Sequence, residues 1–310
     1  MIAFILRRLA ISVGVLLGVS LITFTIAFVV PADPAVAMAG AKADPQTLAL
    51  IRSQLGLDQP VYEQYIRYLG HALHGDLGRS YIRRESVTNL ILGRFGATAV
   101  LAVSAITLSL MLGVAMGLVS AAWRDRTWDH LLLIVALAFV SMPVFWLGEM
   151  LLIGAAAHLR ALPLGGLSGW RSLLLPTLTL ALGSAGYYSR ILHTSLSEQL
   201  EQDYMRTARG KGLSRRQAIA RHALANALIP LLTLAGLDLA GLLSGVVLTE
   251  TVFNWPGIGR LAFEAVLNLD VPLIMGTVLF GAIVVVAANI VVDVLYAWLD
   301  PRIRLSEIGH

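Results

Sequence analysis

A 310-residue chain in which 57% of residues are hydrophobic and only 14% charged is built for a bilayer, because a soluble globular domain carries about 25% charged residues. The absence of cysteine excludes disulfides, thiolate metal sites and thiol chemistry. A formal net charge of +4 raises the question of a nucleic-acid partner, but most short-loop basic residues fall on one side of the apolar segments. Topology accounts for the charge, and no nucleic acid is expected.

The first apolar segment, "RRLAISVGVLLGVSLITFTIAFVV" followed by "AVAMAG", has the look of a signal peptide. A signal core spans roughly 7–15 residues, whereas Leu9–Val30 is long enough to cross a membrane, so it reads as a retained first span. With about 20 apolar residues needed per spanning helix, five further segments qualify: Ala97–Ala121, Leu131–Ala157, Leu173–Thr194, Leu228–Glu250 and Met275–Trp298. Pro143 predicts a kink in the third, tolerable where neighbouring helices satisfy the freed carbonyl. Three glycine pairs at i and i+4 (Gly14/Gly18, Gly113/Gly117, Gly241/Gly245) predict close helix packing. The expected class is an all-α integral membrane protein with six transmembrane helices.

Between the first two spans, residues 31–96 predict a folded helical segment. Asp44 and Pro45 supply an N-cap and a first-turn proline, Gly56-Leu57-Asp58 a break, and Val61, Tyr65, Tyr68, Leu69 and Leu73 the apolar stripe of a second helix ended by "HGDLG". A helix bound only to lipid is the alternative. His71 and His74, with Asp76 nearby, form a candidate two-ligand face; surface histidines at a helix end are the commoner case, and no metal is assigned.

Lys and Arg in short loops set orientation. Arg7, Arg8, Arg124, Arg126, Arg190, Arg302 and Arg304 share a side with the basic stretch 203–230, against Arg160, Arg171 and Arg260 opposite. Both termini and that stretch are therefore expected in the cytoplasm, and residues 31–96 outside. Within "DYMRTARGKGLSRRQAIARHALANALIP", a helix to about Arg209 meets Gly210-Lys211-Gly212, which frees the backbone to turn. Ser214 with Gln217 forms a capping box opening a second helix, which carries Ile219, Ala223 and Leu228 along one side into the fifth span. A topology signal needs charge but no fold. Two capped helices with small residues at Thr207, Ala208, Gly210 and Gly212 predict a hairpin that docks a cytoplasmic partner.

"ETVFNWPGIGRL" predicts an outer re-entrant turn, since Trp255-Pro256-Gly257 is costly against lipid and better placed on protein or water; aromatic anchoring by Trp255 at the interface is the alternative. An acid at a helix centre costs roughly 2.5–3.5 kcal/mol on insertion scales, which singles out Glu149, Asp238 and Asp293. Glu149 and Asp238 are candidates to face a translocation path, attracting an ammonium group or cation; an interhelical hydrogen bond or a protonated buried acid is the competing reading. Asp293 reads as a helix-end structural residue. A P-loop needs Gly-x-x-x-x-Gly-Lys-Ser/Thr, and neither Lys42 nor Lys211, the two lysines of the chain, is followed by Ser or Thr, so energy must come from a partner or an ion gradient. A self-sufficient secondary transporter would often show repeated halves, which are not evident here. An intramembrane enzyme lacks its Cys, His-Glu-x-x-His or Ser/His constellation.

"RTARGKG" resembles the peptide-type form of the cytoplasmic loop in permease subunits of ATP-binding-cassette importers. On the general Glu-Ala-Ala, three residues, Gly pattern, Arg206, Thr207 and Ala208 take the first three places and Gly212 the glycine. The first two depart as they commonly do in dipeptide, oligopeptide and nickel permeases; the distal Ile-x-Leu-Pro is matched loosely by "LIP" ending at Pro230. "LGLDQPVYEQYIRYL", "GDLGRS", "SMPVFWLG", "LPTLTLAL", "ETVFNWPGIGRL" and "NIVVDVLYAWLDPRIR" extend the resemblance to the first-type ("B") permease of the peptide/nickel group along nearly the whole chain. It implies the type I importer permease fold in a bacterial inner membrane, a homologous second permease, two cytoplasmic ATPases (alike or a heterodimer) that bind ATP and Mg, and an external solute-binding protein. This chain itself would hold no cofactor and be no enzyme. The resemblance makes Arg206, Thr207, Ala208, Arg209, Gly210, Lys211, Gly212, Leu213 and Ser214 the element that couples to the ATPase, and places Asn254, Trp255, Pro256 and Gly257 at the outer pore mouth. It also implies that Asp238 stands where Gln is usual and Glu149 where an apolar residue is. The expected divisions are 1–30 (first span), 31–96 (external segment), 97–300 (five-helix permease core with the coupling loop 198–228) and 301–310 (tail). Di- or oligopeptides are the favoured solutes; nickel, a metal chelate or a glutathione-like modified peptide stays open.

Overall fold

The computed structural model describes residues 2–29, 35–36, 43–122, 127–158 and 162–299. Lys42, Arg124, Arg126, Arg160, Arg302, Arg304 and the tail 301–310 lie outside the described residues. Secondary structure among the described residues is helical apart from one isolated antiparallel bridge, Arg79 to Ser86. The chain divides into two compact units, one drawn from Met1–Thr98, Leu243–Thr251 and Pro256–Ile290, the other from Ala99–Leu242, Val252–Trp255 and Val291–His310.

In the first unit, α1 (Ile2–Val29) covers the expected first span. Helix α2 (Pro45–Leu55) is capped as predicted: the Asp44 carboxylate accepts from Thr47 N at 2.7 Å and Thr47 Oγ1 at 2.9 Å. Those bonds hold its pKa below the usual carboxylate value. Gly56 closes the helix, its N–H directed to the carbonyls of Arg52 and Ser53. Helix α3 (Val61–Leu73) docks on α1 through half of its predicted stripe. Tyr65 and Tyr68 pack on Phe24 with ring centroids 5.2 and 6.2 Å apart, and the Tyr65 hydroxyl is hydrogen-bonded to Ser20 Oγ at 2.9 Å. Burial, with a smaller contribution from Tyr65, pushes the Tyr68 phenol up to about 12. Val61 and Leu73, of the same predicted stripe, remain exposed.

Helix α4 (Val87–Ala122) starts ten residues before the expected Ala97. Gly93, Arg94 and Gly96 interrupt the apolar run, so hydropathy misses its first turns, yet Val87 and Ile91 are fully buried in a core with Ile258, Leu261, Ala265 and Leu273.

The second unit contains the rest of α4, α5 (Thr127–Ser141), α6 (Val144–His158), α7 (Leu174–Leu200), α8 (Asp203–Gly210), α9 (Arg215–Ala218) and α10 (Leu224–Leu243). The expected third span is not one kinked helix: α5 and α6 bend by 103°. Pro143 cannot continue α5, lacking an N–H and clashing with the preceding turn, and its carbonyl instead accepts from Leu147 N at 3.0 Å to begin α6. Both helices pack along α7, where 13 of 27 residues are buried, Thr177, Thr179, Ser189 and Ser195 among them. The expected Gly113/Gly117 pair is a packing seam on α7, since a Cβ on Gly113 would lie 2.6 Å from Tyr188 Cβ and one on Gly117 3.0 Å from Leu192 Cβ. No such neighbour meets Gly14, Gly18 or Gly241 within 4 Å.

The expected fifth span, Leu228–Glu250, stops at Leu243. Gly245, at φ +116°, takes a backbone conformation that few side chains tolerate, and the chain restarts as α11 (Val247–Val252), α12 (Ile258–Leu267) and α13 (Val271–Leu299). By length and composition four described stretches can cross a membrane: Arg7–Ile26, Val87–Ala121, Arg216–Leu243 and Val271–Val294, with α5–α6 a fifth if the bent pair is one span. Helix α7, the expected fourth span, is not among them, in keeping with a helix whose polar residues are covered by its neighbours rather than by lipid.

Candidate functional site

The hairpin forms where the sequence predicts it. Helix α7 ends at Leu200, a two-residue turn follows, and α8 begins after Gln202, which is extended at φ −71°, ψ 149°. Met205 and Ala208, one turn apart on α8, are buried in a core with Ala218, Ala223, Ala227, Leu192 and Leu196. Arg206, Thr207, Arg209, Gly210, Lys211, Gly212 and Ser214 are exposed, and Leu213 is half-buried. The turn is closed by Lys211 N to Thr207 O at 3.0 Å, Gly212 N to Arg209 O at 3.0 Å and Leu213 N to Ala208 O at 3.3 Å. Gly212 sits at φ +87° with open space where a Cβ would point. The capping box is present: Ser214 N donates to Gln217 Oε1 at 3.0 Å, and Gln217 N to Ser214 Oγ at 3.4 Å. A single π turn, Ile219–Ala223, then joins α9 to α10, so the second arm is continuous from Arg216 to Leu243.

One expected member of the docking surface is therefore misplaced. Ala208 faces inward, because the helical period that buries Met205 also buries the residue three positions on. The remaining surface is cationic and small-residued on a turn fixed by its own backbone bonds.

Asp238 and Glu149 separate as well. Tyr188, fully buried on α7, donates its hydroxyl to Asp238 Oδ2 at 2.6 Å, the interhelical bond raised as the competing reading. Asp238 is half-buried, Glu149 is exposed on α6, and Asp293 is half-buried on α13. Trp255 is fully buried, which removes it from anchoring at a membrane surface. Asn254 is exposed, Pro256 half-buried and Gly257 buried. The rings of His71 and His74 point to different partners, Asp76 Oδ2 at 3.3 Å and the Gly70 carbonyl at 2.8 Å. No three His, Asp or Glu side chains gather as a metal site among the described residues.

Glu250 and Asp270 are among the buried carboxylates of the described residues that escaped the sequence reading. Glu250, fully buried, accepts from Thr98 Oγ1 at 2.8 Å and from Arg260 N at 2.8 Å, while Ile258 N donates to the same Thr98 hydroxyl at 2.9 Å. It lies at the N-terminus of α12, where unpaired N–H groups favour negative charge. A Cβ on Gly257 would run into this carboxyl group, so a side chain there would push Glu250 off its hydrogen bonds. Asp270, buried just before α13, accepts from the Ser80 hydroxyl and from the backbone N–H of Tyr81 at 3.1 Å and Ile82 at 3.4 Å. Burial, then the charge of Asp270, pushes the Tyr81 phenol up to about 12. Arg83 and Arg260 both reach Glu264, at 2.6 and 2.9 Å. Asp270-Val271-Pro272 carries a readable helix-start signal, a capping acid with proline in the first turn.

Residues 113–305 match the family described as binding-protein-dependent transport system inner membrane component, and residues 1–102 its N-terminal counterpart. Glutathione transport system permease protein GsiC of Escherichia coli strain K12 is 39% identical over 304 residues, covering 98% of this chain and 99% of the relative. The protein of the same name from Salmonella paratyphi A is 40% identical with the same coverage. Among solved structures, an inward-facing MetNI methionine ABC transporter superposes with a TM-score of 0.56 over 68% of this chain and 96% of that chain, at 15% identity, a likeness of fold. The chain thus belongs to the binding-protein-dependent inner membrane transport components, as a permease subunit of the peptide/nickel group of ABC importers.

Proposed function

We propose that this chain forms half of a translocation path for di- or oligopeptides, with six membrane-crossing helices, both termini in the cytoplasm, and a homologous permease supplying the other half. The observation that carries the peptide assignment is identity along the whole chain to a permease named for glutathione, a tripeptide. Two ATPases holding ATP and Mg would drive it, and an external binding protein would deliver the solute. The exposed face from Arg206 to Ser214 would insert into the ATPase, and its buried underside gives a physical route for coupling. Met205 and Ala208 tie the hairpin to the core of α7, α9 and α10, so ATP-driven movement of a docked hairpin would tilt those helices together and switch the path between inward and outward states. In this reading Asn254 to Gly257 lie at the outer mouth. Asp238, oriented by Tyr188, and the exposed Glu149 attract the solute's ammonium group. ATP turnover by the assembled complex, measured with its binding protein loaded in turn with dipeptides, glutathione and nickel, tests the reading. Stimulation by peptide or glutathione is expected; stimulation by nickel alone would overturn it.

A further inference from the structure

Helix α3 has more apolar surface than α1 covers. At about 100° per residue, Tyr68, Val61, Ala72 and Tyr65 make one flank, and Leu69, Tyr62, Leu73 and Ile66 continue it around the helix. Glu63, Arg67, Gly70 and His71 occupy the opposite side. Of the first flank, Tyr65 and Tyr68 rest on Phe24 and Ser20 of α1. On the second, Tyr62 is 64% exposed, Ile66 65% and Leu73 86%.

The contact with α1 fixes the depth of this face. The apolar stretch of α1 runs from Arg7 to Ile26. Ser20, which holds the Tyr65 hydroxyl, lies roughly 9 Å of helix rise inside its Ile26 end. Tyr65 therefore meets α1 inside its apolar stretch, at Ser20 and the Leu17 carbonyl, and Leu17 and Leu21 on the adjoining side of α1 are themselves exposed. A helix with one polar side, one apolar side and aromatic anchors lies in a membrane interface with its apolar face roughly 5–10 Å deep.

We infer that α3 lies in the membrane surface at the end of the first span, with Tyr62, Ile66 and Leu73 against lipid acyl chains and Glu63 and Arg67 toward water. The occupant of the open face is the bilayer, not a protein partner.

The cysteine-free chain allows a direct test. Single cysteines at 62, 63, 66, 67 and 73 would be spin-labelled in the assembled importer, its partner subunits stripped of cysteine, in lipid nanodiscs. Collision with oxygen, which concentrates in lipid, would be compared with collision with a water-soluble nickel chelate. The expected oxygen-to-chelate ratio is severalfold higher at 62, 66 and 73 than at 63 and 67. Equal ratios at all five positions would overturn the inference by placing the face in water. Protection of 66 and 73 from both reagents would overturn it by showing a protein over the face. A second reading comes from Ile66→Asp with Leu73→Asp. Both sites are exposed, so the fold should hold, while the label at 62 loses its lipid signature; an unchanged signature counts against the inference.

Discussion

The hairpin at Asp203–Ala223 and the turn at Val247–Leu267 are both pairs of short helices joined through glycine, and they are built on opposite plans. The hairpin keeps its polar groups outside and buries only methyl and thioether groups beneath, and its bonds are local: Ser214 to Gln217, Gly212 to Arg209. The turn hides a carboxylate at its centre and secures it through Thr98, 152 residues away in sequence. The first plan leaves a face free for something else to hold. The second uses its polar groups up internally, as a fixed frame.

The contrast is tested hardest at Glu250. Replacement by Ala leaves the Thr98 hydroxyl and the Arg260 N–H without their acceptor in a fully buried place, and hydrogen bonds to a charged group contribute about 1.5–3 kcal/mol each. Glu250→Ala should cost at least about 3 kcal/mol, seen as a lowered unfolding temperature in detergent and reduced yield of assembled complex. Glu250→Gln keeps one acceptor and should cost less. If Glu250→Ala unfolds like the parent, the turn is not a polar frame.

The hairpin predicts the reverse, a change in activity without a change in stability. Gly210 is exposed, with nothing within 4 Å of a Cβ, so Gly210→Glu should fold normally. If the exposed face docks on an acidic partner surface, the added carboxylate meets like charge there, at a cost of several kcal/mol of association, so ATP hydrolysis should continue while uptake is largely lost. Ala208→Glu makes the control: it places a charge in the buried core and should lower stability as well as transport. Equal behaviour of the two variants would mean that the inner and outer sides of α8 do not have separate roles.

What the sequence could disclose follows the same division. The Asp44 cap, the Gly56 stop, the capping box and the glycine turn are all signals that act within four residues, and each is found where expected. Ala208 was misread because small size predicts an accessible surface and a buried methyl equally well; the inward direction of Met205 decides between them. Span ends shifted wherever hydropathy and hydrogen bonding disagree. Helix α4 begins early because Val87 and Ile91 find a core despite Arg94. The fifth span ends early because Gly245 turns although the residues after it are apolar. The Glu250 and Asp270 sites stayed hidden because their partners come from Thr98 and Ser80–Ile82, and no local pattern announces a pairing across 150 or more residues.

A smaller effect is expected at Gly212. At φ +87° with empty space around its Cβ position, Gly212→Ala meets no clash and shows only the backbone cost, about 1–2 kcal/mol. Hydrogen exchange should report it as faster opening confined to residues 203–214, with the core of α7 and α10 unaffected.

Ser214→Ala gives the smallest change and the finest test. The Ser214 hydroxyl accepts from Gln217 N at a long 3.4 Å and meets Gln217 Oε1 at 3.0 Å, while the Ser214 N–H keeps its own bond to Gln217. Losing one arm of the box should cost about 1 kcal/mol or less, below the effect at Gly212. Because α9 runs without a break into Arg216–Leu243, that small loss falls at the joint between the exposed turn and a membrane-crossing helix. If the hairpin acts as a stiff lever, Ser214→Ala should leave ATP hydrolysis near the parent rate but lower the solute moved per ATP. A variant that frays the first turn of α9 by hydrogen exchange yet keeps full stoichiometry would show that force passes through the Met205 and Ala208 underside instead.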